Sequence, residues 1–306
     1  MRPLMGALQG SSAEDIYTLA VNQRSFDPCL REFIGRHERL FVLTGAGCST
    51  ESGIPDYRDA EGAWKRAQPV NYRAFMADEL TRRRYWARSM VGWPRFGRAR
   101  PNAAHHALAC LERSGRITRL VTQNVDGLHQ AAGCKTVIDL HGRLDGVLCV
   151  RCELRTRRAA LQRQLLRRNP EWHGLRAALG PDGDADLERL DFSAFDVPAC
   201  ERCGGILKPD VVFFGESVPQ DRVRAAMNAL EQADAVLIVG SSLMVYSGYR
   251  FAQRAFQAGK PVASVNLGRT RADDLIELKV PQACASALAF LLREELPTSA
   301  AAAAVD

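Results

Sequence analysis

The sequence predicts an α/β fold, a doubly wound parallel sheet with a small lobe inserted into it. Three observations carry this expectation. Short apolar runs alternate with helical patterns along most of the 306 residues, as they do when helices join parallel strands. Each apolar run ends in glycine or polar residues, and in open α/β sheets that edge is where ligands bind. From residue 149 to 203 the alternation stops, and two cysteine pairs bracket the gap.

Leu40 to Leu43 reads as a buried strand that runs into Gly45. Ile117 to Val121 is a second, ending at Thr122-Gln123-Asn124, and Val137 to Leu140 a third, ending at His141. Ala235 to Val239 is a fourth, ending at Gly240-Ser241-Ser242, and Pro261 to Val265 a fifth, ending at Asn266. Helical periodicity fills the spaces between them at Ala103 to Arg113, Val223 to Gln232 and Gly248 to Ala258. The expected organisation is an N-terminal extension over 1–30, a sheet domain over 31–148 and 204–296, and a lobe over 149–203. An alanine-rich tail over 297–306 is expected to be disordered.

Hydrophobic residues make up 46% of the chain, enough for a full core. The formal charge of +6 is modest for this length and fits scattered solvated arginines, so no nucleic acid is required as a partner. The start, Met1 to Asp15, lacks a sustained apolar stretch, so no secretory leader is expected. No stretch approaches the roughly 20 apolar residues of a membrane span. These features predict an intracellular protein, where thiols stay reduced. Its nine cysteines are then metal ligands, reactive thiols or core residues before they are disulfides.

After the first strand comes Gly45-Ala46-Gly47-Cys48-Ser49-Thr50-Glu51-Ser52-Gly53-Ile54-Pro55-Asp56-Tyr57-Arg58. A glycine-rich strand-to-helix turn lets the backbone approach a pyrophosphate, whose charge then meets helix N-terminal amides. Thr50 stands where a G-x-G-x-x-G pattern has its third glycine, which disfavours a hydride-transfer dehydrogenase. Pro55 should end any helix just begun. Cys48, inside the loop, is a candidate for oxidation.

Gln123-Asn124-Val125-Asp126 closes the second strand with residues that either cap a helix or face a ligand. His141 ends a buried strand at the ligand edge, and Gly142 leaves space beside it. An imidazole suits general-base work near neutral pH. Cys149-x-x-Cys152 and Cys200-x-x-Cys203 offer four thiolates to one tetrahedral ion. With four protein ligands no position is open to substrate, so one structural zinc ion is predicted. The spacer between the pairs demands a folded excursion to bring them together.

Taken in order, these stretches resemble the sirtuins. Gly45 to Arg58 is similar to that family's cofactor loop, with Tyr57 in place of the commoner Phe. Gln123 to Asp126 resembles its Q-N-I/V-D motif, and Leu140-His141-Gly142 its active-site L-H-G. Lys208 to Glu216 and Gly240 to Tyr246 resemble its two peptide-binding segments. Asn266-Leu267-Gly268 and Cys284 match its late adenosine contacts, and the four cysteines match its zinc module. Tyr57, Gly240 to Leu243, Val245 to Arg250 and Asn266-x-Gly268 look most like class II, the branch that includes a mitochondrial member.

The resemblance implies a Rossmann-like NAD-binding domain with a zinc-binding lobe, and an NAD-dependent protein-lysine deacylase in the cytoplasm or, alternatively, the mitochondrial matrix. It implies NAD contacts from Gly45, Ala46, Gly47, Ser49, Thr50, Ser52, the block Gly53-Ile54-Pro55-Asp56-Tyr57-Arg58, Gln123, Asn124 and Asp126. Gly240, Ser241, Ser242, Asn266, Leu267, Gly268 and Cys284 complete that set. Val211, Phe213, Phe214, Gly215, Glu216, Leu243 and Val245 would sandwich the acyl-lysine peptide as an added strand. Asp126 would hold the nicotinamide carboxamide, Asn124 a ribose hydroxyl or water, and His141 would take a proton from the ribose. The products would be free lysine, nicotinamide and O-acyl-ADP-ribose.

Family members that prefer short dicarboxylic acyls carry a Tyr-x-x-Arg pair where this chain reads Ala63-Trp64-Lys65-Arg66. Acetyl or a longer acyl is therefore expected here. Two other readings remain open from the sequence: a protein mono-ADP-ribosyltransferase using the same cofactor site, and a non-catalytic zinc protein that senses NAD or ADP-ribose.

Overall fold

A computed structural model describes residues 28–66, 68–187 and 190–293. Its larger sheet has six strands, all parallel: β1 (Leu40–Thr44), β2 (Ile117–Thr122), β3 (Val137–Asp139), β7 (Ala235–Val239), β8 (Val262–Val265) and β9 (Leu278–Val280). Their spatial order is β3-β2-β1-β7-β8-β9. The five expected strands are present, and β9 extends the sheet beyond them.

The strands are apolar on both faces, as buried parallel strands must be. Leu40, Val42, Leu120, Leu237 and Val265 face one core, together with α1 (Pro28–Arg36), α4 (Ala103–Arg113) and α9 (Cys284–Leu288). Phe41, Leu43, Val121, Ile238 and Val262 face the other, under α7 (Gln220–Gln232) and α8 (Tyr246–Gln257). Period-two alternation thus splits each apolar run between two helical layers. Asn102 starts α4 with a reciprocal cap: its Oδ1 accepts from the amides of Ala104 and His105, and His105 Nδ1 accepts from the Asn102 backbone amide.

The chain leaves β1 in one direction and returns through β7 on the other side. The strand order therefore reverses between β1 and β7, and the loops after these two strands diverge around a crevice. That crevice positions the site.

The second sheet is antiparallel, in the order β5-β4-β6. It comprises β4 (Gly142–Cys149), β5 (Arg155–Arg157) and β6 (Leu207–Val211), with α6 (Arg158–Arg168) packed on it. Its core also takes Phe75 of α2 (Tyr72–Ala77) and Tyr85, Trp86 and Met90 of α3 (Glu79–Phe96). The segment 149–203 thus packs on strands and helices drawn from both sides of it. The remaining helix is α5 (Leu128–Ala131). Of the expected N-terminal extension, residues 28–30 begin α1; the rest, like the expected tail at 297–306, lies outside the described residues. Among the described residues no helix is long and apolar enough to cross a membrane.

Candidate active site

The crevice opens into a cavity of about 960 Å³, near the top of the roughly 300–1,000 Å³ usual for small-molecule sites. Of the nucleotide and peptide residues expected from the sequence, all but Ser52, Gly53 and Pro55 line it. Ser52 faces away, its hydroxyl accepting from Asn102 Nδ2 at 3.1 Å. Gly53 supplies the left-handed turn, φ +80°, that ends the loop's second helical turn before Pro55 is reached.

The loop after β1 differs from the expected strand-to-helix turn. It forms two 3₁₀ turns, Ala46–Cys48 and Thr50–Ser52. The Gly45 and Gly47 amides donate to Val239 and Gly240 carbonyls at 3.0 and 2.8 Å. A Cβ on Gly45 would lie 2.7 Å from Ser241 Cβ, and one on Gly240 would lie 2.2 Å from the Cys48 nitrogen. These glycines let the β1 and β7 loops touch across the crevice. Cys48 is buried, and burial pushes its thiol well above the usual range. The reactive thiolate that oxidation needs is therefore disfavoured.

Asn124, Asp126 and Ser49 form one hydrogen-bonded floor. Asn124 Nδ2 donates to the Gly45 carbonyl and to Ser49 Oγ, both at 3.0 Å. Ser49 Oγ donates onward to Asp126 Oδ2 at 2.7 Å, and the Leu128 amide donates to Asp126 Oδ1 at 2.9 Å. Burial raises the Asp126 carboxyl, while these donors favour its charged form. The sequence placed these residues on two separate segments; β1 and β2, adjacent in the sheet, bring them together.

His141 is held from both ends. Its Nδ1 lies 2.9 Å from the Gln123 carbonyl, which only accepts, so Nδ1 carries the proton. Nε2 is left bare and accepts from Ser247 Oγ at 2.8 Å. Burial lowers the imidazole to about 4, so the ring is neutral near pH 7 and Nε2 can take a proton. Ser247 falls within the Val245 to Arg250 stretch, but its place beside His141 was not legible there, because it sits in the first turn of α8, far from His141 along the chain.

His105 is also lowered to about 4 by burial, and His129, its ring tilted against that of His105 at 4.8 Å, falls well below its ordinary value. All three histidines fold neutral but protonate near 6.5 when unfolded. Their stabilisation is complete above pH 6.5 and is lost as pH falls towards 4. For His141 and His105 the loss at pH 4 is about 3 kcal/mol each. A thermal melting midpoint followed from pH 7 to pH 4 should fall steeply across this window. A flat profile would contradict neutral burial.

The cavity wall at 211–216 is tied down by Lys208, a residue that is only 4% exposed. Its Nζ donates to the Val211 carbonyl and to Glu216 Oε2, the latter at 3.0 Å. The same carboxylate oxygen accepts from the Phe213 amide at 2.9 Å, closing the turn 213–216. Gly142, at φ +80°, lets β4 pass within reach of β6; a Cβ there would meet the Asp210 carbonyl at 2.1 Å. Across the cleft lie Leu243 and Val245. Near the cavity mouth Trp64 packs edge-on against Tyr57 and Phe214 under the Arg58 guanidinium. Lys65 is paired with Asp56 at 2.5 Å, and Arg66 donates to the Leu179 carbonyl.

The four expected zinc ligands converge at the tip of the lobe. Cys149 and Cys203 sulfurs are 3.5 Å apart and those of Cys152 and Cys200 3.7 Å, with all four within 4.8 Å of one another. A tetrahedron with Zn–S bonds of about 2.3 Å has edges of about 3.8 Å, whereas a disulfide needs about 2.05 Å. The cluster fits one zinc ion held by four thiolates. Glu153 at φ +56° and Gly204 at φ +69° make the two tight turns.

A parallel sheet with its crevice at the reversal of strand order, and a neutral imidazole on the crevice floor, defines a dinucleotide-using enzyme. The model of the Sir2 family matches residues 45–247. The NAD-dependent protein deacetylase 2 of Bradyrhizobium diazoefficiens is 68% identical over 263 residues, covering 86% of this chain and 96% of the relative. The NAD-dependent protein deacetylase of Xanthomonas campestris pv. campestris (strain 8004) is 63% identical over 286 residues, covering 94% and 97%. A solved Sir2–p53 peptide–NAD+ structure superposes with a TM-score of 0.66 at 32% identity, covering 86% of this chain and 95% of that one. The chain belongs to the Sir2 family.

Proposed function

We infer that this chain is an NAD-dependent protein-lysine deacetylase, with NAD as co-substrate and one structural zinc ion. The observation that carries the reading is the bare Nε2 of His141, facing a cleft between a nucleotide loop and two peptide-binding segments. When bound, NAD supplies the ribose carbon that loses nicotinamide and receives the acyl oxygen. Asp126, ordered by Ser49 and Leu128, offers a carboxylate to the carboxamide end. Asn124, facing the same floor, orients a ribose hydroxyl or water. His141 takes the ribose hydroxyl proton at Nε2, and the Gln123 carbonyl stabilises the imidazolium through Nδ1–H. The peptide adds as a strand between 211–216 and 243–245, so its backbone supplies affinity. Lys65 and Arg66 are both engaged elsewhere, which supports acetyl or a longer acyl over a dicarboxylic one. The bacterial source of the two relatives favours the cytoplasm over a mitochondrial matrix.

Mass spectrometry of the protein incubated with NAD and lysine peptides bearing acetyl, succinyl, long fatty or lipoyl groups tests this. Loss of one acyl group with matching O-acyl-ADP-ribose is the expected result. A mass gain of ADP-ribose on protein, without peptide turnover, would move the assignment to a transferase. Bound but unconsumed NAD would make it a sensor.

A further inference from the structure

The peptide side of the cleft carries a charge pattern that the chemistry at His141 does not use. Arg224 of α7 and Arg250 of α8 line the cavity from neighbouring helices, beside Val245 and the exposed Tyr246. Among the described residues neither makes an ion pair, and Arg250 Nε is buried without a hydrogen-bond partner. The Arg250 guanidinium lies 5.1 Å over the Tyr246 ring, which holds it at the mouth. Arg250 lines the same cavity as His141, on the helix whose first turn carries Ser247, the donor to His141 Nε2. The only carboxylate lining this side, among the described residues, is Glu216, and Lys208 neutralises it. The other lining carboxylates, Asp56, Asp59, Asp126 and Asp182, belong to the nucleotide loop, the crevice floor and the lobe.

We propose that Arg224 and Arg250 select acyl-lysines whose neighbouring residues in the substrate are acidic. Two uncompensated guanidiniums with a low-dielectric wall behind them attract carboxylates and raise the cost of a lysine- or arginine-flanked segment. A strand-added peptide is held by its backbone, so side-chain selection falls to charges at the rim of the cleft. This proposal rests on the deacetylase reading and names its substrate class.

The test compares three acetyl-lysine peptides of equal length, flanked by Asp, by Ala or by Lys. Binding is followed by fluorescence anisotropy and turnover by mass spectrometry, with the full-length zinc-loaded protein. The Asp-flanked peptide should bind and be turned over with a KM about three- to tenfold lower than the Lys-flanked one, a range set by two partly exposed ion pairs. The preference should weaken as salt is raised. Arg224→Glu with Arg250→Glu should invert the order, whereas Arg163→Glu with Arg167→Glu, an equal charge change on the lobe, should leave it intact. Equal KM values for the Asp- and Lys-flanked peptides, or an acidic preference that survives the double reversal, would overturn the proposal. Absence of turnover for every peptide would sink the deacetylase reading, and the binding order would still decide this one.

Discussion

His141→Ala is expected to lower kcat by about 10²–10⁴-fold, the usual worth of a positioned general base. Among the described residues lining the cleft, this is the one imidazole, neutral at physiological pH and fixed by a hydrogen bond on its far nitrogen. Losing it removes the proton acceptor while leaving the floor built by Asn124, Ser49 and Asp126 in place. NAD should therefore still bind, zinc content should stay at one ion per chain, and the loss should fall on kcat more than on the KM for NAD. Ser247→Ala removes only the hydroxyl at Nε2 and should cost much less. Steady-state kinetics with an acetyl-lysine peptide, alongside a metal assay, checks this. Turnover within a few-fold of the parent protein would remove His141 from the base role.

Cys203→Ser is expected to release the metal and unfold the lobe, with peptide turnover lost as well. Structural zinc sites of this type hold their ion with an apparent free energy of about 10–16 kcal/mol, most of it realised only in the folded state. The consequence reaches the cleft because the lobe and the peptide wall share one core. Val147 of β4 and Leu161 and Leu165 of α6 pack in the same cluster as Val211 and Phe213, which line the cavity. β4 joins both ends of this path, with Gly142 beside the active site and Cys149 at the metal. Zinc measured by atomic emission should fall from one ion per chain to none, and limited proteolysis should cut within residues 150–206. A metal-free, folded and active variant would show that the cysteines do not stabilise the lobe.

Most of the larger sheet was legible because its strands are buried on both faces. Ala235 to Val239 and Ala103 to Arg113 fall where their patterns placed them. Val137 to Leu140 shortens by one residue: the Leu140 amide still donates to the Thr122 carbonyl of β2, but its backbone already turns towards His141. β9 was missed: three residues, Leu278 to Val280, give too short a run to stand out, and only pairing with β8 makes them a strand. The lobe was the least legible part. β5 is exposed throughout, and β4 alternates too irregularly to read as a strand. β4 pairs with β6, which begins after the second cysteine pair, and β5 pairs only with β4, so a non-local partner decides the conformation of this sheet.

By itself the sequence determined the chemistry-bearing groups: the glycine loop, Asn124 and Asp126, His141 and the four cysteines. Each lies in a short local pattern whose residue types are constrained by what they must bind or hold. The tertiary structure alone decided how those groups work. It made Gly45, Gly47 and Gly240 a contact between two loops, fixed the His141 tautomer through Gln123 and Ser247, and neutralised the Glu216 carboxylate with Lys208. It also left Arg224 and Arg250 without acidic partners at the peptide mouth. The physical reason is that proton position, charge pairing and close backbone approach depend on which distant segments the fold brings within about 3 Å of one another, and local patterns carry no record of that.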